Sequence, residues 1–219
     1  MVHDEVRKAI VEACRRLEVA GLVQGASGNV SVRLAPDREL CAITPSRVPY
    51  RRLTPEQVLI VDFDGEPQDG EGVPSSEALT HFAAYRARRD IGAAIHTHSV
   101  YASALAVAGR EIPAVIDEQV VLLGGPVRVA EYGMSATEEL ARHGVEALGR
   151  NQAVLLRNHG VLAVGRDLDE ALDVAELAER VAKIYVLAQL AGGARPLPEH
   201  VVETEQKLYR MQRGFPLED

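Results

Sequence analysis

The feature that most constrains the fold is a set of short apolar runs: Leu40-Cys-Ala-Ile43, Val58 to Phe63, Ile91 to Thr97, Ala153 to Leu156 and Val161 to Val164. Runs of this length, set between turn-forming residues, read as strands. Val30 to Leu34 alternates polar and apolar residues in the same sense after the turn-rich Gly25-Ala-Ser-Gly-Asn29, and Val127 to Ala130 reads as a short strand. Helical spacing appears elsewhere. Val6, Ile10, Ala13, Cys14, Leu17 and Val19 recur at near-helical intervals from Asp4 to Ala20, with Gly21 as a stop. Further helices are expected from Pro74-Ser-Ser-Glu77 toward Arg89, over Tyr101 to Ala108, over Thr137 to Gly149, and over Leu168 to Leu190 before Gly192-Gly193. The tail from Pro196 is mixed. A strand-rich meander therefore comes first, and helices alternate with strands afterwards. No repeat, low-complexity tract or linker divides the chain, so its 219 residues are expected to form one domain, 1–219.

The balance of charge narrows the partners. With 24 Lys and Arg against 32 Asp and Glu the formal net charge is −8, which offers no global positive field to a nucleic-acid backbone or an anionic bilayer. The local cluster Arg47, Arg51 and Arg52 is still sufficient for a small anion, which needs only a few aimed donors. Met1 to Ala20 interrupts its apolar residues with charges, unlike a signal peptide or a membrane span. The two cysteines, Cys14 and Cys41, are too few to staple a chain of this size and read as free core thiols in a reducing, cytoplasmic setting.

Chemistry is concentrated in a few histidines. In Ile95-His96-Thr97-His98 the two imidazoles lie two residues apart at the end of an expected strand, so they leave the same face and can converge on one ion. Alone, such a pair also describes an ordinary polar strand end. His159, in Asn158-His159-Gly160 after a second apolar strand, is a third candidate, with Gly160 expected to supply a sharp turn. Three neutral imidazoles suit zinc or a similar borderline ion such as manganese or cobalt, with one position left open. Glu77 is the candidate fourth group, able to ligate at rest and act as a base once displaced; read by itself it is more often a helix-dipole or capping acid at a helix start. Ser75 and Ser76 either cap that helix or help hold a phosphate, and Gly28-Asn29 and Thr44-Pro45-Ser46 are donor-rich loops of the same kind. His81, one turn after Glu77, is placed to orient it; His3, His143 and His200 read as surface residues, and Glu170, Glu176 and Glu179 as a solvated helix face.

Taken together, Gly25-Ala-Ser-Gly-Asn-Val-Ser-Val-Arg33, Ile43-Thr-Pro-Ser46, Pro74-Ser-Ser-Glu77, His96-Thr-His98 and Asn158-His-Gly160 resemble the class II aldolase/adducin family in order and spacing across nearly the whole chain. The resemblance implies a three-layer α/β/α fold with a central, mainly antiparallel sheet, and a homotetramer with sites between subunits. It also implies metal ligation by His96, His98, His159 and Glu77, with Glu77 as proton shuttle and with phosphate contacts from Gly28, Asn29, Ser46, Ser75 and Ser76. The implied reaction is cleavage of a phosphorylated ketose to dihydroxyacetone phosphate and an aldehyde. Epimerases, dehydratases and decarboxylases share these motifs, and the adducin head shares the fold without the metal-binding histidines.

Two departures from the family's aldolases bear on mechanism. Arg47 follows Thr44-Pro45-Ser46 where the aldolase phosphate loop has a glycine, so it either strengthens anion binding or narrows the pocket to a different anion. After Ile112-Pro113-Ala114, where the aldolase has a tyrosine acid, this chain reads Val115-Ile116-Asp117-Glu118-Gln119. Asp117 or Glu118 is the candidate replacement acid, with loop acids as the plain alternative. Tyr209 is the one tyrosine of the tail.

Overall fold

The computed structural model describes residues 3–35 and 39–217. Its elements are α1 (Asp4–Val19), β1 (Asn29–Arg33), β2 (Leu40–Ile43), β3 (Leu59–Asp62), β4 (Pro67–Asp69), α2 (Ala78–Ala87), β5 (Ala93–Thr97), α3 (Val100–Val107), α4 (Asp117–Leu123), β6 (Val129–Ala130), α5 (Glu138–Leu148), β7 (Ala153–Leu156), β8 (Gly160–Gly165), α6 (Leu168–Leu190) and α7 (Glu199–Arg213). The strands form one sheet in the order β4-β3-β2-β1-β5-β8-β7-β6. Every pairing is antiparallel except β6 with β7.

Because successive side chains on a strand point to opposite faces, the sheet feeds two cores. Val30, Ala42, Ile60, Ala93, Ile95, Leu155, Val161 and Ala163 pack with apolar residues of α1, α3 and α6. Their neighbours Cys41, Ile43, Val61, Ala94, Val154, Leu156, Leu162 and Val164 pack with Ala78, Phe82 and Tyr85 of α2 and Leu140 and Leu148 of α5. The result is three layers, helices on both sides of a mainly antiparallel sheet. Both cysteines are free and buried, and burial pushes both thiols up. No helix among the described residues is long and apolar enough to cross a membrane.

Three elements differ from the sequence expectation. β4 is a fully exposed edge strand with a proline and no apolar face, so it carries no alternation to read. Asp117 and Glu118 open a helix where a loop was expected; acids in a first turn offset the helix dipole, and Gly124 ends it in a left-handed conformation. The tail is also a helix, α7, which packs against α4 yet buries only Tyr209 among its own residues. A helix with so narrow a contact has a weak apolar stripe.

Glu179 is not a solvated acid. Its two carboxylate oxygens accept from the amides of Tyr101 and Ala102, each at 2.9 Å. These are orphan donors of the first turn of α3, where Ser99 makes no side-chain cap. Since α3 begins two residues after His98, this contact from α6 fixes the loop in which that histidine sits.

Candidate metal centre and anion pocket

His96 occupies β5 opposite Asn29 of β1 and Leu162 of β8, so it points from the sheet toward α2. His98 follows just past the strand end, in the same sense. His159 sits in the turn joining β7 to β8, and Glu77 is the residue that starts α2. Strand pairing and the helix start thus bring together residues far apart in sequence: the candidate ligand atoms of Glu77, His96, His98 and His159 all lie within 4.8 Å of one another.

The turn at His159 differs from the expectation. Asn158, at φ 56, adopts the left-handed conformation, a role asparagine tolerates better than most residues. Gly160 is needed for space instead: a Cβ there would lie 2.3 Å from the Thr97 carbonyl oxygen, 3.0 Å from His98 Cδ2 and 3.1 Å from His96 Cε1. Gly28 answers the same need from the other side, where a Cβ would fall 2.5 Å from the His96 carbonyl oxygen.

Protonation follows from the hydrogen bonds. His96 Nδ1 lies 2.8 Å from the Val161 carbonyl, which only accepts, so Nδ1 carries a proton and Nε2 is the ring nitrogen turned toward the cluster. That Nε2 lies 2.8 Å from His98 Nε2 and 3.0 Å from Glu77 Oε2, and His159 Nε2 lies 3.0 Å from Glu77 Oε1. Burial, helped by the neighbouring His96 and His159, pushes the His98 imidazole down to about 4, so it is neutral at pH 7. Burial alone would push the Glu77 carboxyl up, but hydrogen bonds with His159 and His96 outweigh it and hold the group well below the usual carboxylate range. Three imidazoles and one carboxylate converge, with His96 Nε2 already turned inward. Donors around a tetrahedral zinc are roughly 3.3 Å apart, given ~2.0–2.1 Å bonds, so a set with all four atoms within 4.8 Å of one another fits a small divalent ion after local adjustment of the side chains.

Beside this cluster lies a cavity of about 200 Å³ whose lining includes Gly28, Asn29, Ser46, Arg47, Ser75, Ser76, Glu77 and His98. Three loops build it. The Ser75 amide donates to the Thr44 carbonyl at 3.1 Å, the Ser46 amide donates to the Val73 carbonyl at 2.9 Å, and Pro45 bridges Pro74. Thr44 itself is buried and accepts from the Val30 amide, so it serves the scaffold. Ser75 Oγ accepts from the Glu77 amide at 3.3 Å. Arg47 is exposed at φ 63, and no hydrogen bond or ion pair occupies its guanidinium among the described residues. The left-handed backbone that a glycine adopts freely is retained here with an arginine on it. Arg51 and Arg52 form part of a short 3-10 turn and do not line this cavity.

Among the described residues, no hydrogen bond or ion pair joins Asp117 or Glu118 to the cluster in the same chain. Glu118 pairs with Arg180, while burial and the neighbouring Asp117 push the Glu205 carboxyl up. Tyr209 is buried and engaged internally, 2.5 Å from Gln152 and donating at 2.7 Å to the Arg150 carbonyl. His81 makes no hydrogen bond to Glu77. Its Nδ1 contacts Ser31 Oγ at 2.6 Å, which in turn contacts the Tyr85 hydroxyl at 2.7 Å, and burial holds the imidazole down to about 3. Two contacts of Glu77 were not anticipated: the Ser135 hydroxyl donates to Oε1, and Asn29 Nδ2 donates to Oε2 at 3.4 Å. Nothing in the local sequence around Ser135 marks it out.

Residues 8–186 match the model of the class II aldolase and adducin N-terminal domain family. The chain is 38% identical over 210 residues to a 5-deoxy-D-ribulose 1-phosphate aldolase of Bacillus thuringiensis, covering 95% of this chain and 97% of that one. It is 34% identical over 186 residues to L-fuculose phosphate aldolase of Escherichia coli K12, covering 85% of each. A solved L-fuculose 1-phosphate aldolase superposes with a TM-score of 0.89 at 35% identity, over 94% of this chain and 96% of that one. The chain belongs to the class II aldolase and adducin family. Within it, the aldolase relatives and the Glu/His cluster make it an aldolase, a lyase of the divalent-metal class.

The Gly160 contacts generate a test. Gly160→Ala must push β8 from β5 or displace His96 and His98, costing on the order of 1–3 kcal/mol. A lowered unfolding midpoint together with weaker zinc retention is expected; native retention and an unchanged midpoint would contradict the packing described here.

Proposed function

We propose that this aldolase cleaves a ketose 1-phosphate, with L-fuculose 1-phosphate and 5-deoxyribulose 1-phosphate as the leading candidates, into dihydroxyacetone phosphate and an aldehyde. The observation that carries the reading is the shared wall: Glu77 and His98 belong both to the four-donor cluster and to the lining of the anion cavity. A phosphate seated in that cavity places the sugar carbons beside the cluster. Ser75 and Ser76, the Gly28 and Asn29 backbone, Ser46 and Arg47 supply the donors for it. The names of the relatives favour aldol cleavage over epimerisation, dehydration or decarboxylation.

His96, His98, His159 and Glu77 would hold a divalent ion, zinc by the imidazole-rich donor set with manganese or cobalt as substitutes. Bound there, such an ion supplies Lewis-acid polarisation of the ketose carbonyl. In the reaction, a base takes the proton of the C4 hydroxyl, the C3–C4 bond breaks, its electron pair goes to C3 and the neighbouring carbonyl, and the aldehyde leaves. A proton then returns to C3. Glu77, a carboxylate at rest that takes up a proton from solvent once it is drawn from the histidines, is the group that delivers it, since it lies on the cavity wall and is flanked by exchangeable donors.

The acid and base at the aldehyde end are Asp117 or Glu118. As these touch nothing in their own chain's cluster, they would serve the site of an adjacent copy in a homotetramer. Exposed apolar residues of α6, Ile184, Leu187 and Leu190, support such an assembly. A cytoplasmic location suits the free thiols and the phosphorylated substrate.

Zinc-loaded protein should release dihydroxyacetone phosphate from at least one ketose 1-phosphate in a coupled assay, and chelator treatment should stop it. Release from none of a panel, by protein with verified metal content, would refute the proposal. Arg47→Gly keeps the left-handed backbone unstrained while removing the cation, so KM should rise about tenfold with little change in kcat. An unchanged KM would remove Arg47 from the phosphate site.

A further inference from the structure

The segment between β6 and α5 is built to present one hydroxyl. Gly133 is pressed against α5, where a Cβ would lie 2.6 Å from both the amide nitrogen and the Cα of Leu140. Thr137 caps the helix by accepting from the Leu140 amide at 3.3 Å and donates at 2.6 Å to the Met134 carbonyl. The Tyr132 carbonyl accepts from His143 Nδ1 at 3.0 Å. Ala136, at φ 63, holds a left-handed conformation that costs energy for a residue with a side chain. With both flanks anchored and one residue strained, Ser135 projects between them and donates to Glu77 Oε1.

We propose that Ser135 is a positioning residue that holds the Glu77 carboxylate in its proton-delivering pose. The inference rests on the reading of Glu77 as the proton-transfer group. Each carboxylate oxygen has one histidine contact and one neutral donor: Oε1 meets His159 and Ser135, and Oε2 meets His96 and Asn29. When substrate draws Glu77 from the histidines, the two ring contacts are lost and the neutral donors remain. Ser135 is then the shorter tether, and it is exposed to solvent. A free carboxylate at that moment samples several rotamers, and misplacement of a reacting group lowers the rate without changing how substrate binds.

The test uses the full holoprotein with Ser135→Ala and Ser135→Thr, each alone and in the Glu77→Gln background. Ser135→Ala is expected to lower kcat about ten- to a hundredfold with KM within about twofold of wild type. Apoprotein affinity for zinc, measured against a chromophoric chelator, should be unchanged or tighter, because Glu77 loses a competitor for its oxygen. Ser135→Thr, which keeps the hydroxyl, should recover most of kcat. In the Glu77→Gln background the serine change should cost nothing further. Zinc affinity and thermal midpoint that fall in step with kcat would assign Ser135 a purely structural role and overturn the proposal. So would a further loss in the double variant, or Ser135→Ala with wild-type kcat. Should wild-type protein cleave no ketose phosphate, the substrate reading fails, and weaker zinc binding by Ser135→Ala then overturns the tether separately.

Discussion

The hydrogen bond between His96 Nδ1 and the Val161 carbonyl joins the fold to its chemistry. It crosses from β5 to β8, so it exists only when those strands pair in register, with His96 opposite Leu162. The same bond turns Nε2 toward His98 and Glu77. Strand register, ring orientation and ligand direction are one fact. A slip of one residue would send His96 into the opposite core among the side chains of α1, α3 and α6.

Around that bond the structure removes side-chain volume. Gly160 and Gly28 let two backbone segments approach the His96–His98 strand from either side, and each absent Cβ marks a contact a larger residue would block. The adjoining cavity uses a second device, loops laced by their own backbone hydrogen bonds, so that Ser46, Arg47, Ser75 and Ser76 face one space without any helix or strand carrying them all. Glu77 belongs to both arrangements and therefore forms the wall between the cavity and the four-donor cluster.

Much of this was legible in the residues. His96 and His98 announce themselves through period-two spacing at a strand end, and the strands that carry the core have strong apolar runs; both signals are local. Arg47 was visible as a departure from a motif, but its left-handed backbone and unpaired guanidinium needed coordinates. Ser135 was invisible because its importance lies in what folding brings to it, and an isolated serine in a polar loop has no pattern. Glu179 failed for the opposite reason: an acid on a helix face looks solvated until another helix start is laid against it. For α4 and α7, narrow or short apolar stripes concealed helices whose partners are mainly each other.

X-ray absorption at the zinc edge of protein reconstituted to one ion per chain tests the centre most directly. The structure predicts nitrogen and oxygen scatterers only, at ~2.0–2.1 Å, with outer-shell scattering from three imidazoles that drops to two in His159→Ala. A sulfur shell near ~2.3 Å, or a spectrum that His159→Ala leaves unchanged, would contradict a centre built from Glu77, His96, His98 and His159.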